Sequence, residues 1–257
     1  MSTFVIAEAG STHDGDHVKG ALLIEAAVAA GANACKFQYW SSARRLADRR
    51  NAHDYLAIYE RYQIWTGWID VWKRICDSAG IEFMCTVYLP EDIPVIAPYV
   101  KRFKVASFEA GDEEFIREHW SYGKPIIVST GMMDEGSYPV VGGCHYLHCV
   151  SAYPTPLDQA NLSVLREDDG EWYAGYSDHT HNILTGALAV AAGAHILEVH
   201  FRLDDTDPAN PDYATALSPG QLKDYIALVR QAEVMMGDGV KEPQPAEAEM
   251  MKYRVKK

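Results

Sequence analysis

Gly175-Tyr-Ser-Asp-His-Thr180 and Ile196-Leu-Glu-Val-His-Phe201 are two short β-type runs, each bringing a histidine to its end, with a helical run from Asn182 to Ala192 between them. A strand, helix, strand unit pairs its strands in parallel, because the crossover returns the chain to the same end of the sheet. Parallel neighbours lie about 4.8 Å apart, so His179 and His200 can reach one small ion. They would meet at the C-terminal rim of the sheet, where α/β enzymes keep their chemistry.

The same alternation runs outward through the whole chain. Eight strands are predicted: Phe4 to Ala9, Ala34 to Gln38, Glu82 to Tyr88, Phe103 to Phe108, Pro125 to Thr130, His145 to Ser151, Tyr173 to Ser177 and Ile196 to Phe201. Helices with good apolar periodicity are predicted at Val18 to Ala30, Trp68 to Ala79, Glu113 to Tyr122, Asn182 to Ala192 and Pro219 to Met236, with short ones at Pro90 to Tyr99 and Gln159 to Arg166. Eight strands without a second domain predict a closed (β/α)8 TIM barrel rather than an open sheet, over residues 1–240, followed by a polar tail at 241–257. Between strands five and six, Gly136, Pro139, Gly142 and Gly143 break the pattern, so the fifth helix is expected to be vestigial or absent. Residues 39–66, with Arg44-Arg45, Arg49-Arg50 and several aromatics, are too long for an ordinary βα connection. They read either as a cover over the barrel mouth or as a surface excursion.

The chain has 257 residues, 48% hydrophobic and 23% charged, and a formal net charge of -13. That charge argues against nucleic acid or an anionic membrane as a general partner, and an anionic substrate would need locally placed lysines. No apolar run approaches a membrane span, and the N-terminus has no basic leader, so a cytoplasmic protein is expected. The five cysteines, at 35, 76, 85, 144 and 149, form no CxxC pair and read as reduced thiols.

Residues two apart on a strand share a face. Ser177 with His179, Glu198 with His200, and Lys36 with Gln38 therefore point the same way, into the mouth. Glu8 ends strand one, beside strand eight in a closed barrel, and completes a candidate metal set for Mn²⁺, Fe²⁺, Co²⁺ or Zn²⁺. Ordinary core histidines are the competing reading. Lys36, Thr86, Lys104, Ser107, Ser129 and Thr130 lie at or near strand ends and make a candidate cradle for phosphate or carboxylate. The competing reading there is a pair of salt bridges, Lys36 to Glu8 or Lys104 to Glu109. His13 and His17, four apart, read as a solvated turn in preference to a second metal site. The Gly10-Ser-Thr-His-Asp-Gly15 turn before the first helix is a weak anion-site signal, and Cys149 reads as a small buried hydrophobe.

Together these segments resemble the N-acetylneuraminate (sialic acid) synthase family of phosphoenolpyruvate-condensing enzymes. The resemblance is carried by Ile6-Ala-Glu-Ala-Gly10, His13 with Gly15, Ala30-Gly-Ala-Asn-Ala-Cys-Lys-Phe-Gln38, Phe103-Lys-Val-Ala-Ser107 with Glu109, and Gly123-Lys-Pro-Ile-Ile-Val-Ser-Thr-Gly-Met132. It continues through Leu147-His-Cys-Val-Ser151, Tyr153-Pro-Thr-Pro156, the two histidine runs, Ala192-Gly-Ala194 and Pro211-Asp212. It implies a barrel that joins phosphoenolpyruvate to an aldehyde, sugar or sugar-like, giving a 3-deoxy-2-keto acid and phosphate with help from Mn²⁺ or Mg²⁺. By motif it makes His179 and His200 metal ligands with Glu8 beside the metal and its water. It places phosphoenolpyruvate on Lys36, Thr86, Lys104, Ser107, Ser129 and Ser177, and adds Gln38, Glu109, Thr130, Tyr153, Asp178 and Asp212 as further substrate-binding positions.

The family pattern also includes a C-terminal antifreeze-like domain that caps a partner's site and supplies an arginine; no such segment is expected within these 257 residues. Thr12 and Ser151 stand where the family has asparagines, which points to an acceptor other than N-acetylmannosamine. A homodimer and a separate capping protein are the expected partners. The alternatives to a synthase are a metal-dependent barrel hydrolase or isomerase, and a non-catalytic barrel that works with a capping partner.

Overall fold

The computed structural model describes residues 2–134, 136–166 and 173–255. Eight parallel strands close on themselves in sequence order: β1 Phe4–Gly10, β2 Ala34–Tyr39, β3 Glu82–Val87, β4 Phe103–Val105, β5 Ile126–Ser129, β6 Cys144–Cys149, β7 Tyr173–Asp178 and β8 Ile196–His200. All eight expected strands are present. The largest difference is β4, which stops at Val105 because Ser107–Glu109 turns into a 3-10 segment.

The helices are α1 His17–Ala30, α2 Ala43–Arg50, α3 Leu56–Tyr62, α4 Thr66–Ala79, α5 Ile93–Ile96, α6 Glu113–Trp120, α7 Thr185–Ala191 and α8 Pro219–Met236. Their ends follow local chemistry. Asp16 caps α1 through Val18 N, Gly31 in the left-handed region ends it, and Ser218 with Gln221 forms a capping box on α8. The run expected as a helix from Asn182 begins only at Thr185, since the Asn182 side chain accepts from Leu184 N in a turn ahead of it. Residues 159–166 make only 3-10 turns. No helix lies between β5 and β6 among the described residues. There the Tyr146 hydroxyl donates to Pro139 O and accepts from Val141 N, pinning a compact loop. No described helix is long and apolar enough to cross a membrane.

Strand alternation builds two cores. The outward set, including Val5, Ala7, Phe37, Phe83, Val105, Val128, Tyr176, Leu197 and Val199, packs under the helices. Trp72 of α4 stacks on Phe37 with ring centroids 4.2 Å apart. The inward set starts with an apolar plug of Ile6, Ala34, Met84, Ile127, Leu147 and Ile196. Two residues further along each strand the inward positions become polar.

Residues 39–66 do not form a loose excursion. They fold into α2 and α3, and Trp40, Ala43, Leu46 and Tyr62 are buried against Tyr88 and Leu89 over the mouth. The tail after Gly237 carries two exposed 3-10 turns, Pro245–Glu247 and Met250–Tyr253.

One glycine positions the two histidine strands. At Gly175 the β6–β7 register slips, and a Cβ there would lie 1.7 Å from the Ile196 carbonyl oxygen of β8. Backbone cannot yield as a side chain can. Gly175→Ala should therefore cost on the order of 3 kcal/mol or more, read as a lowered urea midpoint; an unchanged midpoint would show that β7 and β8 are free to separate.

Candidate active site

Above the apolar plug, period two places Glu8, Lys36, Thr86, Lys104, Ser129, Cys149, Ser177 and Glu198 inside the barrel, and all are buried. Charges at this depth persist only if paired. Lys36 Nζ lies 2.8 Å from Glu8 Oε2 and 3.6 Å from Glu198 Oε2, and donates to Thr86 Oγ1 at 2.8 Å. Lys104 Nζ lies 3.6 Å from Glu198 Oε1 and donates to Ser129 Oγ at 2.8 Å. Ser177 Oγ donates to Glu198 Oε1 at 3.2 Å, and Gln38 Nε2 donates to Glu8 Oε1 at 2.7 Å.

The two carboxylates differ in environment. Burial is the largest influence on both. It pushes Glu8 up to about 7, with Glu198 adding to the rise and Lys36 opposing it. For Glu198 burial is outweighed by Lys104, Lys36 and the two site histidines, which hold it down at about 2. Glu198 is therefore a fixed anion, and Glu8 is poised to exchange a proton near neutrality. The two lysines also part: burial lowers Lys104, while Glu198 and Glu8 overcome burial to raise Lys36.

His179 and His200 stand one layer higher with ring centroids 5.2 Å apart, and Tyr153 packs on His179 at 4.3 Å. His179 Nδ1 bonds the Val150 carbonyl at 2.8 Å, and although burial lowers its pKa, Cys149 beside it and the Val150 carbonyl raise it to about 9. Burial, the leading cause, keeps His200 neutral with its pKa down at about 4. Its Nδ1 is buried without a hydrogen-bond partner, 3.8 Å from Asp212 Oδ1.

Asp212 itself is set by the first βα turn: Ser11 donates to its Oδ2 through backbone N at 2.9 Å and Oγ at 2.7 Å. Gly10, at φ +52, makes room, since a Cβ there would lie 2.4 Å from that oxygen. The turn read as a weak anion site thus holds the protein's own carboxylate. His13 is also reassigned. It is buried among Tyr62, Trp68 and Trp72 and accepts from Gly15 N, instead of lying in a solvated turn.

These groups open into a cavity of about 480 Å³. Its floor includes Glu8, Lys36, Lys104, Ser129, Ser177 and Glu198; its middle is Gln38, Ser107, Tyr153, His179, His200 and Asp212; α2 and α3 form a wall. Residues 23–241 match the NeuB family. This chain belongs to the NeuB family. The N,N'-diacetyllegionaminic acid synthase of Legionella pneumophila is 32% identical over 95% of this chain and 76% of its own length. A pseudaminic acid synthase of Campylobacter jejuni is also 32% identical, over 92% of this chain and 75% of its own length. The crystal structure of the sialic acid synthetase of Leptospira borgpetersenii in complex with citrate superposes with a TM-score of 0.87 at 27% identity, covering 99% of this chain and 92% of that one. The NeuB-family chain is thus an enzyme of the sialic acid synthase type.

Within this NeuB-family barrel, several expected site residues are placed elsewhere. Thr130 and Asp178 follow inward Ser129 and Ser177 on their strands, so both point outward. Thr130 Oγ1 donates to Leu147 O, and Asp178 accepts from Thr180 and from the Tyr225 hydroxyl of α8. Thr86 accepts from Lys36 and does not line the cavity. Glu109, past the end of β4, does not meet Lys104; Arg50 Nε and Nη2 donate to its Oε1 at 2.9 and 2.7 Å. Glu8 is engaged by Lys36 and Gln38. Among the described residues no three His, Cys, Asp or Glu side chains form a metal-holding group, so Glu8 does not complete a three-ligand set. What remains is two imidazoles, that of His200 with an orphaned nitrogen. That donor set fits a divalent ion whose other positions are left to water and substrate.

Two charged residues of the cavity lining were absent from the expected substrate and metal set. Glu198 shares the period-two face with His200, and that signal sufficed to find it. Arg50 had only its place in an arginine pair.

Removing Lys36 takes away the cation shared by Glu8 and Glu198 and leaves Glu8 with Gln38 alone. Lys36→Met should destabilise the fold by roughly 3–5 kcal/mol, and Glu198→Gln added to it should restore at least half. Denaturant titration of both variants checks this, and an unrecovered double variant would count against the coupling.

Proposed function

We propose that this enzyme joins C3 of phosphoenolpyruvate to the aldehyde carbon of an open-chain sugar or sugar-like acceptor, giving a 3-deoxy-2-keto acid and inorganic phosphate. The reading rests on one observation above all: two buried lysines, flanked by hydroxyls and a carboxylate pair, share one cavity with two histidines one strand step above them. The names of the synthases it resembles support the same reaction class.

In this reading Lys36 and Lys104 counter the charges of phosphoenolpyruvate, with Ser107, Ser129 and Ser177 donating hydrogen bonds and Thr86 holding Lys36 by accepting from its Nζ. Gln38, Tyr153 and Asp212 line the middle of the cavity and orient the acceptor's hydroxyls. His179 and His200 would hold Mn²⁺ or Mg²⁺, which when bound supplies a Lewis acid for the aldehyde oxygen.

As the new carbon–carbon bond forms, the aldehyde π pair moves to its oxygen, which takes up a proton. C2 becomes electron-poor, and Glu198, held as an anion by the two lysines, stabilises it. Water adds at C2 and gives its proton to Glu8, whose place between burial and Lys36 suits a base working near neutrality. The C–O bond of the resulting hemiketal phosphate then breaks with its electron pair leaving on phosphate, stabilised by Lys36 and Lys104. The C2 hydroxyl loses its proton to form the keto group. One water is consumed, and the proton it gives up balances the one taken by the aldehyde oxygen.

Incubation with phosphoenolpyruvate, Mn²⁺ and a panel of aldoses and N-acyl aminoaldoses should show phosphate release that depends on both aldehyde and metal. Glu8→Gln should lower kcat by about 100-fold or more while phosphoenolpyruvate still binds, and Lys104→Ala should lower kcat/KM for phosphoenolpyruvate by about 100-fold with metal retained. Phosphate release indifferent to the aldehyde, or Lys104→Ala without effect, would point instead to a metal-dependent hydrolase or isomerase.

A further inference from the structure

Asp212 lines the cavity from the β8–α8 connection, yet the group that pins its carboxylate, Ser11, stands 201 residues earlier in the β1–α1 turn. Asn210 joins the two segments. It is 4% exposed, and its Nδ2 donates to Ser11 O at 2.8 Å and to Asp14 Oδ1 at 2.9 Å. Its Oδ1 accepts from Asp212 N at 3.0 Å and lies 2.8 Å from Ser11 Oγ.

An asparagine amide offers two N–H donors and two carbonyl lone pairs, and Asn210 uses all four. The set also fixes which end is which, because a reversed amide would turn its oxygen toward the Ser11 carbonyl and the Asp14 carboxylate. Its bonds bear on Asp212 in two ways. The bond from Asp212 N closes a turn across Pro211, whose ring fixes its own φ. The Ser11 hydroxyl carries one proton and lies between Asn210 Oδ1 and Asp212 Oδ2, so a shift of Asn210 moves the group that pins that carboxylate oxygen. The other end of the clamp is anchored. Asp14, in the left-handed region at φ +55, accepts at Oδ2 from Asp207 N at 3.0 Å and from Lys19 Nζ at 2.9 Å. With Oδ2 pinned, Asp212 Oδ1 is the oxygen that faces the unpartnered His200 Nδ1 at 3.8 Å. Lys36 and Lys104 are held instead by Glu8, Glu198, Thr86 and Ser129.

We propose that Asn210 is a positioning residue for the acceptor side of the site: by locking the β1–α1 turn to the β8–α8 connection, it fixes the Asp212 carboxylate beside His200. The effect on the acceptor rests on the synthase reading, whereas the effect at His200 does not require it. A carboxylate held in one place orients the acceptor's hydroxyls and steadies the imidazole. On a loosened loop it does both less well, while the lysines that meet phosphoenolpyruvate keep their own partners.

The experiment uses Asn210→Asp, which keeps the side chain's shape but sets an oxygen against the Asp14 carboxylate, and the double variant Asp14→Asn with Asn210→Asp, which returns a donor to that contact. Mn²⁺ dissociation constants are measured by calorimetry without substrates. KM values are measured from phosphate release with phosphoenolpyruvate, Mn²⁺ and the most active aldehyde of the panel. Asn210→Asp should raise the acceptor KM at least tenfold, leave KM for phosphoenolpyruvate within threefold, and raise the Mn²⁺ dissociation constant at least threefold. The double variant should recover at least half of each change on a logarithmic scale. Asn210→Ser, which introduces no charge, should raise the acceptor KM at least threefold, so the test stands even if Asn210→Asp does not fold. Acceptor KM and Mn²⁺ affinity that both stay unmoved, whatever the urea midpoint does, mark a merely structural clamp and overturn the proposal while leaving the synthase reading intact. An equal rise in both KM values marks general loosening and overturns it as well. No phosphate release from the wild type with any aldehyde overturns the synthase reading; the Mn²⁺ constant then decides alone, a rise in Asn210→Asp supporting the clamp and no change overturning it. A wild type with neither turnover nor Mn²⁺ binding overturns both.

Discussion

The barrel interior has to hold four ionisable side chains away from water, and the rest of the site follows from how it does so. Lys36, Lys104, Glu8 and Glu198 come from four different strands, and each is nearly inaccessible. None could be kept there alone, because an unpaired buried charge costs several kcal/mol. Closure of the sheet brings β1 beside β8 and so places Glu8 and Glu198 on either side of the Lys36 ammonium. Neighbouring hydroxyls from β3, β5 and β7 satisfy the remaining donors and acceptors. The result is a preformed polar layer whose two carboxylates differ in proton affinity, resting on an apolar plug that stops water entering from below.

The histidines make sense only above this layer. Each sits two residues beyond a member of it, His179 after Ser177 and His200 after Glu198, so the strand period that built the ionic layer also lifts the imidazoles above it. Glu8 cannot serve both levels. Its carboxylate is already shared between Lys36 and Gln38, and this separates it from the two imidazoles above. The α2–α3 cover then encloses the cavity and brings in Arg50 and a set of aromatics that no barrel strand supplies.

Much of this was legible before any coordinates. Strand–helix alternation, the weak fifth connection and the inward-facing lysines, hydroxyls and histidines all rest on local period and breaker residues. The misplacements also have local causes. Thr130 and Asp178 were included beside their inward neighbours, although a one-residue step on a strand reverses the side chain's face. Glu109 was expected near Lys104, but β4 is only three residues long and the chain turns before it.

By itself the sequence determined the (β/α)8 order and which side chain types stand at strand ends, because period and turn chemistry act over a few residues. Its matched motifs determined the family. Only the tertiary structure decided which ions pair, since Glu8, Lys36, Lys104 and Glu198 are brought together by closure across almost the whole chain. It also decided that residues 39–66 cover the mouth and that Glu109 belongs to Arg50. Those outcomes depend on packing between segments far apart in sequence, where no local pattern records the partner.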